Sequence, residues 1–187
     1  MLLETPHLLL REFEDDDWKA VQEYAANPAV LRYLPGDPPT EARVRQTVRW
    51  MKEGKGDNPP HYDFAVVHKF EQHLIGWCSI SIRYDELQQG ELAYALNPRF
   101  WGKGYATEAA HRGLDYGFSE LKLHRIFATC RPENVGSWRV LEKVGLRREG
   151  HLRQHRWIRD AWQDSFLYAI LDHEWKARQE GYRSALE

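Results

Sequence analysis

Glu91-Leu92-Ala93-Tyr94-Ala95-Leu96-Asn97-Pro98-Arg99-Phe100-Trp101-Gly102-Lys103-Gly104-Tyr105-Ala106-Thr107 reads as a strand, a tight glycine turn and the start of a helix. A helix N-terminus carries unpaired backbone N–H groups and a partial positive charge. Glycine at Gly102 and Gly104 removes Cβ atoms from the turn, so a phosphate can come close to those donors. The stretch is therefore an anion site, and a pyrophosphate suits it.

Outward from this turn, Ala106, Ala110, Leu114, Phe118 and Leu121 fall on one face of a helix that packs on a sheet. The run from His124 to Cys130 follows it as a strand, and the crossover rule makes that strand parallel to the one at Glu91–Asn97. Upstream, Phe64–Val67 and Leu74–Ile82 form a hairpin around Glu71-Gln72-His73, and Asp85–Gly90 turns the chain back into the Glu91 strand. Three strands in succession make an antiparallel meander, so the sheet is mixed. Before it come a strand at His7–Phe13, a helix led by Glu14–Asp17 and ended by Asn27-Pro28, and a second helix capped by Thr40 with Val44, Val48 and Met51 on one face. The Lys52–Pro60 stretch reads as a loop beside a cleft. Downstream, Asn134 leads into a short helix from Ser137 to Val144, closed by Gly145. Arg147–Trp157 and Ser165–Leu171 then read as strands around a turn at Arg159–Gln163, before a charged tail with a helical turn or two.

A chain of 187 residues, 42% of them hydrophobic, is expected to form one domain over 1–187 with a real core. A net charge of -2 with no basic tail gives no global reason to expect nucleic acid. Cys78 and Cys130 lie in apolar runs, so buried free thiols in a reducing compartment are expected, with cytoplasm the default. No secretory leader and no bilayer-length apolar run is visible. Eight Trp and nine Tyr suit clefts, an interface such as a homodimer contact, or plain core filling.

Four motifs then coincide in order: the strand end Asn97-Pro98, the turn Gly102-Lys-Gly104-Tyr-Ala106-Thr-Glu108, Asn134-x-x-Ser137, and Leu141-Glu-Lys-Val-Gly145-Leu146. Over almost its whole length the chain resembles the GNAT N-acetyltransferases. Leu8-Leu-Leu-Arg11 and Asp164-Ser-Phe-Leu-Tyr168 make it similar to the branch that acetylates ribosomal-protein N-termini. The resemblance implies an α+β (mixed α/β) fold, with a central, mostly antiparallel twisted sheet flanked by helices and a splayed parallel strand pair. It also implies acetyl-CoA as cosubstrate and no metal. Trp101 stands where the family signature usually has Arg or Gln. Arg99-x-x-Gly102 offers a second register, and the later one starts the helix at the onset of its apolar stripe. The implied cofactor-binding set is Leu96, Trp101, Gly102, Lys103, Gly104, Tyr105, Ala106, Thr107 and Asn134, with Asn134 also able to cap the helix. Ala93 stands where related sequences often have glycine.

Acetyl transfer to an amine needs a neutral amine, a polarised thioester carbonyl and a proton for the thiolate if that step is assisted. Glu91 matches the family position of the base, and it reads equally as a solvent-facing residue beside Gly90. The usual acid, a tyrosine, is replaced here by Leu141, which leaves Ser137 as the nearest hydroxyl on that helix, or as a cap or cofactor contact. His151 and His155 are spaced too far along a strand to share a metal. The basic and aromatic run Arg153–Arg159 with Trp162 could face RNA, but reads better as a solvated hairpin with aromatics packed beneath it or at a dimer contact. Leu31–Pro39, Tyr84 and Trp157 are expected to border the acceptor. The sequence thus reads as an acetyltransferase for a protein N-terminal amine, with the ribosome as a candidate contact. The alternatives are a small amine such as a polyamine, amino acid or antibiotic, or a CoA-binding module without efficient catalysis.

Overall fold

The computed structural model describes residues 2–34, 36–53 and 60–184. The chain opens with β1 (Leu2–Glu4) and β2 (Leu8–Arg11), a tight hairpin in which Thr5 Oγ1 accepts from the Leu8 N–H at 2.9 Å. The strand expected at His7–Phe13 is β2, and the short β1 paired with it was not foreseen. Asp17 then ends a short 3-10 turn, accepts Arg11 at 2.7 Å and leads into α1 (Trp18–Ala25). Asn27-Pro28 stops α1 as expected and also starts something unforeseen: the Asn27 side chain accepts from Ala29 N–H at 2.9 Å and caps α2 (Pro28–Leu31). Thr40 Oγ1 accepts from Arg43 N–H at 3.3 Å at the head of α3 (Glu41–Glu53). Most of the expected Lys52–Pro60 loop, Gly54 and Gly56 included, lies outside the described residues.

The sheet continues through β3 (His61–His68), β4 (His73–Tyr84) and β5 (Gln89–Leu96), paired antiparallel as a meander. After α4 (Tyr105–Ser119), β6 (Arg125–Cys130) returns parallel to β5. Then come α5 (Val135–Lys143), β7 (Arg147–Ile158), β8 (Ala161–Leu171) and α6 (Asp172–Ser184). The strand order is β1-β2-β3-β4-β5-β6-β8-β7, one mixed sheet with a single parallel pair among the described strands. Two differences from the sequence reading concern the end of the chain. The β7–β8 turn is only Arg159-Asp160, both at positive φ, so the strands run longer than expected. The tail is a full helix: Trp175, 3% exposed, plugs it onto the core, and Arg178 donates to the Lys143 carbonyl at the end of α5 at 2.8 Å.

Each face of the sheet has its own core. On one face Leu92, Leu96 and Ile126 pack with Ala109, Ala110 and Leu114 of α4 and with Leu141 of α5. On the other, Ala65, Val67 and Leu74 pack with Val21 and Tyr24 of α1, Val30 of α2 and Val44 and Val48 of α3. Burying such side chains contributes about 1.5–3 kcal/mol each. Both α4 and α5 pack on the first of these faces, and the end of β5 lies beside them.

Two local features of β4 lie beside the end of β5. A bulge sets Val66 against Gly76 and Val67 against Leu74, leaving Ile75 unopposed. At Gly76 the backbone of β5 comes so close that a Cβ would lie 2.2 Å from the Ala95 carbonyl oxygen, so only glycine fits. Along β5 the register with β4 is regular through Ala93. Pairing between β5 and β6 is brief, from Gln89↔Arg125 to Glu91↔Phe127, after which the two strands part.

Candidate active site

A cavity of about 450 Å³ opens where β5 and β6 part, walled by the end of β5, the head of α4 and the face of α5. From the turn, Trp101, Gly102 and Gly104 line it, followed by Tyr105, Ala106 and Thr107 of α4. Gly104 is the N-cap residue at φ 88°, Gly102 sits at φ 75°, and no side chain caps the helix. At both glycines an added Cβ would meet nothing within 4 Å. The glycines therefore serve the left-handed turn and leave open space before the uncapped amides, which is where an anion belongs. Lys103 is exposed and is not part of the cavity wall; its ammonium lies 5.3 Å from the centre of the Phe100 ring.

Leu96 closes the β5 side of the cavity. Its carbonyl is already engaged, because the Trp101 indole N–H donates to it at 2.8 Å. Across the cavity, Asn134 Oδ1 accepts from Ser137 N–H at 3.2 Å, which makes it the α5 cap while its side chain still borders the opening. Ser137 lines the same wall, and Leu141, 1% exposed, is core.

Sequence reasoning missed three side chains here. Tyr94 reaches across from β5: its hydroxyl donates to the Ser137 carbonyl at 2.9 Å and lies 3.3 Å from Ser137 Oγ. Burial pushes the Tyr94 phenol well above its ordinary value, so it stays protonated. Alternation along β5 sets Tyr94 on the same face as Leu92 and Leu96, and no local pattern shows the α5 turn that it meets. The other two are Arg139 and Lys143, four apart on α5, which bring positive charge to the cavity wall. Their i,i+4 spacing was the available signal.

Glu91 lies on the opposite face of β5 from Tyr94 and does not line the cavity. It is the last β5 residue paired with β6, so it sits at the vertex of the split. Its side chain is 15% exposed; Arg83 Nε donates to Oε2 at 2.8 Å, and Arg156 Nη2 stands 3.7 Å from Oε1 while also donating to Thr129 Oγ1 at 3.1 Å. In register with Glu91 and Ser81 across the sheet lies His61, which contacts Asp63 beneath the stacked Trp50 ring. Burial raises the Asp63 carboxyl, and the bond to His61 only partly offsets it.

Of the expected acceptor border, Tyr33 and Leu34 line the cavity together with Val30, whereas Pro35 lies outside the described residues. Tyr84 and Trp157 are exposed and stand apart from the cavity. The aromatics of the β7–β8 hairpin are not packed beneath it: Trp157 and Trp162 are 56% and 55% exposed and touch each other edge to face at 5.3 Å. His151 pairs with Asp164 at 2.7 Å. Both cysteines are buried and unpaired; burial pushes the Cys78 thiol up to about 12 and that of Cys130 to about 11, far from a reactive thiolate. Among the described residues no helix is long and apolar enough to cross a membrane.

Residues 7–147 match the family described as "Acetyltransferase (GNAT) domain". The chain is 42% identical over 175 residues to the uncharacterized N-acetyltransferase YnaD of Bacillus subtilis (strain 168), covering 94% of this chain and 99% of that one. Among solved structures, a GNAT-family acetyltransferase from Bacillus anthracis superposes with a TM-score of 0.83 at 39% identity, covering 92% and 99% of the two chains. The ribosomal-protein-S5-alanine acetyltransferase of Vibrio fischeri gives 0.81 at 26% identity over 94% and 98%. The spermidine N-acetyltransferase of Vibrio cholerae, in complex with CoA and spermine, gives 0.79 at 25% identity over 92% and 99%.

Proposed function

Because the chain belongs to the GNAT acetyltransferase family, whose members use acetyl-CoA, we propose that it acetylates a protein N-terminal amine by direct attack, as a single domain in the cytoplasm. The observation that carries this reading is the cavity between the uncapped head of α4 and the α5 wall, bordered by the part of β5 that follows its last pairing with β6 at Glu91. The cavity fits the cosubstrate. The Gly102–Thr107 amides would hold its pyrophosphate, Arg139 and Lys143 its remaining phosphate charge, and Asn134 and the end of β5 its arm. When bound, acetyl-CoA would supply the activated acetyl group, with CoA leaving as the thiolate.

The chain's own residues do the rest. Glu91, at the vertex and on the face away from the cavity, is placed to take a proton from an amine arriving from that side. Ser137 Oγ is the hydroxyl placed to donate to the departing sulfur, and Tyr94 positions it by holding the Ser137 backbone from across the cavity. The buried, protonated thiols of Cys78 and Cys130 argue against an acyl-enzyme.

The spermidine enzyme among the neighbours makes a polyamine the competing acceptor. A polycation needs carboxylates around it, yet the described groups flanking Glu91 are Arg83 and Arg156. That arrangement favours a peptide N-terminus. Thiol release from acetyl-CoA across a panel of N-terminal peptides and small amines tests the reading. Turnover with peptides supports it, and CoA binding without turnover on any amine would sink it. Glu91→Gln is expected to lower kcat by about 100-fold or more, with acetyl-CoA affinity unchanged; an unchanged rate removes Glu91 as the base.

A further inference from the structure

The charges around Glu91 do not cancel. Arg83 Nε is 2.8 Å from one carboxylate oxygen, and Arg156 Nη2 is 3.7 Å from the other. Two guanidiniums thus face one carboxylate, and among the described residues no second acid pairs with either arginine. Glu91 is 15% exposed, whereas Arg83 and Arg156 are 47% and 46% exposed, so the excess positive charge is on the solvent side. Arg156 arrives from β7 and reaches past β8 to Thr129 of β6, two residues beyond the last β5–β6 pair. It therefore lies over the open split, where an acceptor must pass. Arg83 uses its Nε on Glu91, and its terminal nitrogens have no partner among the described residues.

Resting on the acceptor reading above, we propose that the acceptor carries a carboxylate close to its reacting amine, and that Arg83 and Arg156 bind it. A guanidinium fork matches a carboxylate in two hydrogen bonds, and two forks on one side of a cleft select an anion over a cation. The arrangement also links recognition to chemistry. Arg83 and Arg156 occupy the Glu91 oxygens that would take the amine's proton. An acceptor carboxylate on the same guanidiniums releases those oxygens as the amine arrives. A lysine-rich or polyamine acceptor offers no such exchange. The carboxylate has two sources: an acidic side chain at the second or third position of a peptide, or the α-carboxylate of a free amino acid.

The test compares kcat/KM for peptides that differ only at positions two and three, carrying Asp or Glu, Gln, or Lys, alongside free amino acids and their amides. Acidic peptides are expected to exceed their lysine counterparts by about tenfold at low salt, with the ratio shrinking as salt rises. Arg156→Gln and Arg83→Gln should each bring that ratio towards one, and Arg156→Glu should reverse it. A free amino acid outpacing both its amide and every peptide assigns the carboxylate to the second source. Equal rates for acidic, neutral and basic acceptors, or a preference that survives both glutamine variants, would overturn the proposal while leaving the acetyltransferase reading intact. Absence of turnover on any amine would remove both together.

Discussion

At Glu108 several hydrogen bonds converge on one carboxylate in the first turn of α4. The His7 amide donates to it at 2.8 Å and the His7 ring lies at 3.0 Å. Burial pushes the carboxyl up, but the bonds from Thr5 and from the His7 amide and ring outweigh it and hold it below the usual range. A carboxyl held low contributes stability that is present above its unfolded value, about 4.3, and is lost as the pH falls through the folded one. Glu108→Gln should therefore cost about 1 kcal/mol at pH 7, and the gap to wild type should close on acidification through that range. Urea melts at neutral and acid pH measure both; a gap that persists in acid would mean that the charge is not what matters. Single residues were also the hardest to assign from sequence. Strand alternation is enough to set Glu91 and Tyr94 on opposite faces of β5, but that Arg156 comes within 3.7 Å of Glu91 depends on a strand more than sixty positions later. Leu141 was legible as a departure from the family pattern; that Tyr94 brings a hydroxyl to the same wall was not, because no local pattern encodes a contact between a strand and a distant helix.

The element that decides the site is the turn into α4, and its two glycines act through conformation. Both have positive φ with empty space where a side chain would point. Gly104→Val both strains the turn and fills the approach to the amides, so it should weaken acetyl-CoA binding by more than tenfold. Trp101→Ala removes an indole hydrogen bond to the Leu96 carbonyl and leaves the turn's backbone intact, so it should weaken binding less. Calorimetry on the two variants decides. Comparable losses would show that the indole bond, through the end of β5, is itself part of the binding site. Helices with an apolar stripe, such as α3 and α4, were legible in the sequence. The four-residue α2 was not, since a stop signal at Asn27-Pro28 is also a start signal. Nor was the length of α6, whose charged sequence conceals Trp175, the side chain that it buries in the core.

On the scale of the molecule, Arg159 at the β7–β8 turn donates to the carbonyls of Leu31, Leu34 and Gly36, at 2.8, 3.3 and 2.8 Å. Arg131 adds a bond to the Arg32 carbonyl at 2.8 Å. Together they tie the hairpin and the β6–α5 connection to the segment after α2, parts of the chain about a hundred residues apart. Arg159→Ala should speed amide exchange in residues 31–34 and 158–162 while exchange in α4 stays as it was; unchanged exchange at the hairpin would show that these bonds do not hold it. The meander, the crossover and the parallel pair followed from element order, because short connections leave few choices. The insertion of β8 between β6 and β7 did not, since either strand of a hairpin can take the inner place. That choice leaves β7 on the outside, where a row of free backbone groups would invite another chain to add a strand. Its four arginines and its two breaks in register make it a poor template. At the opposite rim, β1 offers only three residues. Both margins of the sheet are thereby guarded against strand-by-strand aggregation, and the arginine that faces Glu91, Arg156, belongs to one of those guards.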